Sequence, residues 1–267
     1  MAIINAPNNG LEDNAQQEYS NKLFVWGCSD DWQLGIETGP KNYQISDPVQ
    51  ITPDYWQGKL EKIYAQSNYS MSIDTKGNVF SWGSGEFGRL GYEKDVKYQK
   101  YPKIIETFSI QNIIVTKIAL GTHHSAACTN QGKLYTWGQG VNGQLGHGSN
   151  QNEEIPKKVK EFQDIRVLEI ACGDSHTMAI ISGNLVYGWG FNQAGQLGFQ
   201  DLSRVNLPKK IMFFNQKEVV QIQCGKKHSI ALTVEGQVYS WGSNEYGQLG
   251  IQLGKQSGKM TCPEQQI

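Results

Sequence analysis

Three histidines stand directly before a hydroxyl residue: His124 before Ser125, His176 before Thr177, and His228 before Ser229. A histidine beside a hydroxyl is the raw material of a nucleophile with its general base, and three histidines are the raw material of a zinc site. The spacing argues against both. Neighbours along a strand point to opposite faces, so an adjacent pair does not converge. No G-x-S-x-G elbow is present to present a serine. The three histidines recur one structural unit apart, and packed sheets lie about 10 Å from one another, whereas metal ligands sit about 2 Å from a shared ion. A buried hydrogen bond to a neighbouring strand, repeated in each unit, is the expected role. His123 adjoins His124 and points to the other face. Cys172 and Cys224 share one place in the pattern, which Ala65 and Leu120 fill elsewhere, so they read as small buried apolar residues. No G-x-x-x-x-G-K-[ST] loop occurs. The sequence therefore predicts no catalytic constellation, no cofactor and no metal.

What remains is chemistry for binding. Lys157, Lys158 and Lys160 form one basic cluster, and Lys209 with Lys210 forms a second; both lie just after a proline. Lys226 and Lys227 make a third. A solvated face is the ordinary reading of such runs. The functional reading is a rim that meets an acidic protein, with DNA disfavoured by so few charges. Tyrosines at Tyr43, Tyr92, Tyr98 and Tyr101 fall in polar stretches and suit a protein partner.

The elements that would position these residues follow from a repeat. Trp-Gly occurs at Trp26, Trp82, Trp137, Trp189 and Trp241, in steps of 56, 55, 52 and 52 residues. Leu-Gly follows eight residues after each tryptophan, at Leu34, Leu90, Leu145, Leu197 and Leu249. A proline follows 11 to 14 residues later, at Pro48, Pro102, Pro156, Pro208 and Pro263. Twelve residues before the last four tryptophans sits a hydroxyl: Ser70, Ser125, Thr177 and Ser229. The segments LFVW, VFSW, LYTW, VYGW and VYSW are short and β-rich, with an aromatic two residues before each tryptophan on the same sheet face. Gly77, Gly132, Asn184 and Gly236 lie five residues before a tryptophan; Gly and Asn tolerate positive φ, so a tight hairpin turn is predicted. Each unit then holds about four short strands, which cannot bury both sheet faces alone. Radial stacking buries them, as in a propeller. The stretches Ile36–Asp47, Tyr92–Tyr101, His147–Ile155 and Phe199–Leu207 read as loops on one rim.

Gln237–Gly250 and Ile222–Thr233 carry the pattern V-Y-S-W-G-x-N-x-x-G-Q-L-G and I-x-x-G-x-x-H-S-x-A-L-T. This resembles the RCC1 repeat, and the resemblance runs over residues 22–267. It implies an all-β, RCC1-type β-propeller; residues 1–21, rich in Asn, Gln and Ala with few apolar anchors, are expected to be a mobile polar tail. Family members typically close seven blades; about four and a half are expected here, an incomplete ring. A truncated chain and an open arc capped by another chain are the favoured explanations, and a smaller closed ring is the third. Unpaired blade edges would permit self-association. The first unit is degenerate: Trp32 replaces the glycine found at Gly88, Gly143, Gly195 and Gly247, and Gln66 replaces that at Gly121, Gly173 and Gly225. The varied, tyrosine-bearing loops on a rigid frame point to a protein-interaction scaffold working through its rim loops. Its alternative is guanine nucleotide exchange on a Ran-like small GTPase, the founding member's activity, although no extra hairpin is visible for a wedge.

Composition sets outer bounds. Lys+Arg is 24 and Asp+Glu is 25, so no global charge draws the chain to nucleic acid or an anionic membrane. Residues 1–100 hold 9 basic and 13 acidic side chains; residues 203–267 hold 8 and 4. Glu12, Asp13 and Glu18 make the N-terminal segment a poor DNA-gripping arm. Five scattered cysteines with no C-x-x-C argue against a disulfide framework and for a reducing compartment, cytoplasmic or nuclear, with a ciliary setting implied by some family members. No apolar run approaches about 18 residues, and no signal-peptide pattern opens the chain.

Overall fold

The computed structural model describes residues 2–7, 19–37, 44–51, 55–56, 59–93, 96–251 and 259–265. The chain divides into two compact units, Met1–Glu86 with Asp95–Val115, and Phe87–Lys94 with Thr116–Ile267. In the first unit, β1 (Ala2–Pro7), β2 (Tyr19–Cys28) and β3 (Gln44–Ile51) form a three-stranded sheet. β4 (Leu60–Gln66), β5 (Tyr69–Asp74), β6 (Val79–Ser84) and β7 (Tyr98–Ile104) form a four-stranded one. The second unit holds three more four-stranded sheets. They are β8 (Val115–Leu120) to β11 (Glu153–Lys158) through β9 (His124–Thr129) and β10 (Leu134–Gly138); β12 (Val167–Cys172), β13 (His176–Ile181), β14 (Leu185–Gly190) and β15 (Val205–Lys210); and β16 (Val219–Cys224), β17 (His228–Thr233), β18 (Val238–Ser243) and β19 (Lys259–Gln265). Each is an antiparallel meander, one propeller blade per repeat. The all-β expectation holds, and the first, partial repeat forms the three-stranded sheet.

Within the segment expected as a tail, residues 1–21, strands cover Ala2–Pro7 and begin again at Tyr19. Ala2–Pro7 pair in register with β2, from Ala2 opposite Phe24 to Pro7 opposite Tyr19. The sequence AIINAP offers two β-branched isoleucines to an edge of β2 that otherwise carries unpaired N–H and C=O groups. Residues 8–18 and Tyr43 lie outside the described residues.

The hairpin explains the fixed offsets of the repeat. Ser70, Ser125, Thr177 and Ser229 lie directly across from Trp82, Trp137, Trp189 and Trp241. Twelve residues is therefore the length of one hairpin, closed by a turn whose Asn184 (φ 57°) and Gly132 (φ 74°) take the predicted positive φ. Opposite each tryptophan the register slips, for instance between Thr136 and Gly138, and Pro156 falls in the skipped stretch of β11. Proline suits that place because no ladder N–H is needed there. The glycine after the tryptophan is forced by the same irregularity: Gly190 has φ 104°, and a Cβ there would lie 2.5 Å from the Ser175 carbonyl oxygen.

Packing follows the rings. Trp82, Trp137, Trp189 and Trp241 are completely buried. Short 3-10 turns after β11 and β15 insert Phe162 and Phe214, whose ring centroids lie 6.0 Å from that of Trp189 and 5.5 Å from that of Trp241. Each buried indole removes roughly 200 Å² from water, on the order of 5 kcal/mol before chain entropy is counted. In the first unit, Leu23, Val25, Leu34, Ile51, Leu60, Phe80 and Trp82 form the equivalent core.

Candidate functional site

The histidines are consumed by the frame. His124 Nε2 lies 2.8 Å from Thr177 Oγ1, and His176 Nε2 lies 3.0 Å from Ser229 Oγ. Each hydroxyl donates to a main-chain carbonyl, Thr177 to Gln144 and Ser229 to Gln196, both at 2.8 Å. The same carbonyls accept the indole N–H of Trp189 and of Trp241 at 2.9 Å. With its hydrogen spent on the carbonyl, the hydroxyl must accept from the histidine, so Nε2 carries the proton. Burial holds both imidazoles neutral, with pKa values pulled down to about 3. The adjacent His-Ser and His-Thr pairs do not meet. Each histidine instead reaches the hydroxyl 53 residues on, one repeat plus one position. No carboxylate orients these rings, and no group of three metal-ligating side chains forms among the described residues.

Gly121, Gly173 and Gly225 make room for the rings. A Cβ on Gly173 would lie 2.1 Å from His176 Cε1 and 2.6 Å from the Gly225 carbonyl oxygen. The first full blade departs at both places together: Gln66 stands for the glycine and Tyr69 for the histidine. Cys128 and Cys172 are buried thiols, and burial pushes Cys128 up to about 11 and raises Cys172 further, away from the reactive thiolate.

The turn after each Trp-Gly has a buried base and an exposed tip, at Asp30, at Glu86 and Phe87, at Val141, at Gln193, and at Glu245 and Tyr246. In four of the five, a glutamine side chain accepts the main-chain N–H two residues before it: Gln33 from Asp31, Gln144 from Asn142, Gln196 from Ala194 and Gln248 from Tyr246. In the remaining turn Arg89 takes the glutamine's place and cannot accept. Phe87 there adopts φ 61°, the left-handed region disfavoured for any residue with a Cβ. Buried Arg89 donates to the Thr122 carbonyl at 2.7 Å and lies 3.1 Å from His123 Nδ1. Phe87 packs edge-on against His123 and stays 42% exposed. Tyr246 occupies the matching position and is 90% exposed, and Val141 is exposed one position earlier in its own turn. Sequence reading passed over Phe87 and Tyr246; the signal was the side chain five residues after tryptophan, which runs Asp31, Phe87, Asn142, Ala194, Tyr246.

The predicted contact residues fare unequally. Tyr92 is a correction: it is buried, because the second residue after Leu-Gly's leucine points inward, as its counterparts Ile36, Phe199 and Ile251 indicate. Tyr98 is exposed under the Lys97 ammonium, 5.4 Å from its ring centroid. Tyr101 stacks on Tyr55 at 5.8 Å, and Lys100 bridges Tyr101, Trp32 and Glu37. Trp32 itself keeps the glycine-like φ of 65°. Lys157, Lys158 and Lys160 come together around a cavity of about 110 Å³ with His147 and Glu161. Lys209 lies 4.6 Å over the Phe199 ring, and Lys210 donates to Asn215.

The model of the RCC1-like domain matches residues 14–267. The chain belongs to this family. Among curated RCC1-like relatives, human HERC2, an E3 ubiquitin-protein ligase, is 37% identical over 86% of the chain, and Arabidopsis thaliana UVR8, an ultraviolet-B receptor, is 33% identical over 84%. The chain spans 5% of HERC2 and half of UVR8. Among solved structures, yeast RCC1 (Prp20), crystallised with Kap60, superposes with a TM-score of 0.79 at 26% identity, covering 92% of this chain and 59% of that one. Human WBSCR16 shares the fold, with a TM-score of 0.77 at 23% identity over 91% of this chain.

Proposed function

We propose that this RCC1-like chain is a protein-interaction scaffold whose contact surface is the set of turn tips following Trp-Gly. The observation that carries this reading is the exposure of Phe87 and Tyr246 at matching positions of two turns of the second unit, with Val141 exposed one position earlier in a third, above a frame that spends its own polar groups internally. Aromatic side chains held on rigid turns form contacts at low entropic cost. HERC2 and UVR8 carry dissimilar named roles, as expected where the propeller supplies binding and other features supply the outcome. Five free thiols suit a reducing compartment as the working environment. The test is capture with Tyr246→Ser combined with Phe87→Gly, neither of which touches the core. Partners of the wild-type chain should be lost at least tenfold while circular dichroism stays unchanged. Retention of all of them removes this surface from consideration.

The second reading is nucleotide exchange on a Ran-like GTPase, favoured by the likeness to Prp20, whose study describes binding to Gsp1p and histones. Release of fluorescent GDP from a purified Ran-type GTPase decides it. Acceleration would make the chain an exchange factor, and an unchanged rate would leave the scaffold.

A further inference from the structure

His147 occupies a seat that other repeats fill with Ile36, Tyr92, Phe199 and Ile251. Its Nε2 lies 3.0 Å from Thr136 Oγ1, and that hydroxyl donates to the Leu145 carbonyl at 2.6 Å. Nε2 must therefore carry the proton, and the ring becomes a cation if Nδ1 is protonated as well. Lys157, Lys158 and Lys160 stand around it. In the next repeat the equivalent lysine, Lys209, rests over the apolar Phe199 ring, a favourable pairing. Against His147 the lysine is unfavourable: burial first and the Lys157 charge second hold this imidazole below its usual range. Lys157 pairs with Glu153, whereas Lys158 and Lys160 form no ion pair among the described residues. Glu161 lines the same cavity and opposes an anion, but the balance of the group stays positive.

We propose that this cavity binds the phosphoryl group of a phosphorylated serine or threonine on a partner peptide. A volume of about 110 Å³ is well short of the several hundred Å³ of a typical small-molecule pocket and suits one functional group. A phosphoryl group brings close to two negative charges and three acceptor oxygens to a site of ammonium and imidazole donors. Its arrival would also favour a protonated His147. The assignment rests on the scaffold reading and names one determinant of its partner.

The test uses the full chain, with inorganic phosphate and then a phosphoserine peptide as probes. Phosphate should move the His147 Cε1–H resonance and raise the midpoint of its pH titration, and sodium chloride at matched ionic strength should not. The phosphoserine peptide should bind at least tenfold more tightly than its serine and aspartate counterparts. Lys158→Gln with Lys160→Gln, both on exposed side chains, should weaken it tenfold or more, and His147→Phe should restore the apolar seat and remove the phosphate response. Equal effects of chloride and phosphate, or equal binding by the lysine variant, overturn the site. Equal binding of the aspartate peptide overturns the phosphoryl assignment. Partner capture through Phe87 and Tyr246 is measured separately, so phosphate binding lost with capture intact refutes only this site, and the reverse refutes only the turn-tip surface.

Discussion

Lowering the pH from 7 to 5 should destabilise the second unit through two side chains. His124 and His176 are completely buried and neutral, with folded pKa values of about 3 against 6.5 when exposed. Between those values the unfolded chain binds protons that the folded chain refuses. Their contribution is therefore whole above about pH 6.5 and falls as the pH drops toward 3. At about 1.4 kcal/mol per unit well inside that window, each histidine costs about 2 kcal/mol between pH 7 and 5, and the pair about 4. His147 and His228 shift in the same direction and add to the slope. The assay is urea unfolding followed by the fluorescence of Trp137, Trp189 and Trp241, all buried in this unit. The comparison is His124→Gln with His176→Gln, whose amides can still donate to Thr177 and Ser229 without titrating. The double variant should be less stable at pH 7 yet lose about 4 kcal/mol less between pH 7 and 5. Parallel pH profiles for the two proteins would refute the assignment of neutral, sequestered imidazoles.

Gly173→Ala should destabilise by about 2 kcal/mol or more in the same urea assay, because the new Cβ meets both the His176 ring and the Gly225 carbonyl oxygen; a neutral result would mean the blades separate there at little cost. Ser229→Ala leaves the His176 N–H buried without its acceptor and should cost about 1–3 kcal/mol. The further change His176→Leu should recover part of that loss in a double-mutant cycle, and strict additivity would show that the two groups do not interact. Phe87→Gly should relieve about 1 kcal/mol of left-handed backbone strain, offset by the lost contact with His123; a thermal midpoint lowered by several degrees would show that the ring supports the fold.

The repeat was legible because its offsets are geometric. A hydroxyl twelve residues before tryptophan is a hairpin, and a proline 11 to 14 residues after Leu-Gly's leucine is a bulge facing that tryptophan. Other features were hidden by the linear pattern. The partner of His124 is not its neighbour Ser125 but Thr177, which only a superposition of successive repeats would suggest. Ala2–Pro7 looked like tail because its composition lacks the repeat's markers, although an open strand edge is enough to order it. Tyr92 looked like a surface aromatic because its loop is polar, whereas the rhythm of Leu-Gly turns it inward. Exchange of Gln for Arg at position 89 was visible as a letter, but its effect passes through the N–H of Phe87, which the letter does not display.

The staple between repeats has a direction. The Gln144 carbonyl serves Trp189, 45 residues later, and the Gln196 carbonyl serves Trp241 at the same separation. On a ribosome, which makes domains N-terminal end first, the carbonyl that accepts each of these indoles has been synthesised before the indole. Each emerging hairpin meets a template already in place, so a nascent chain halted between repeats leaves its finished indoles satisfied. The histidine bonds run the other way, since His124 and His176 are made before their acceptors Thr177 and Ser229, so each new hairpin both places its indole and satisfies the histidine of the hairpin before it.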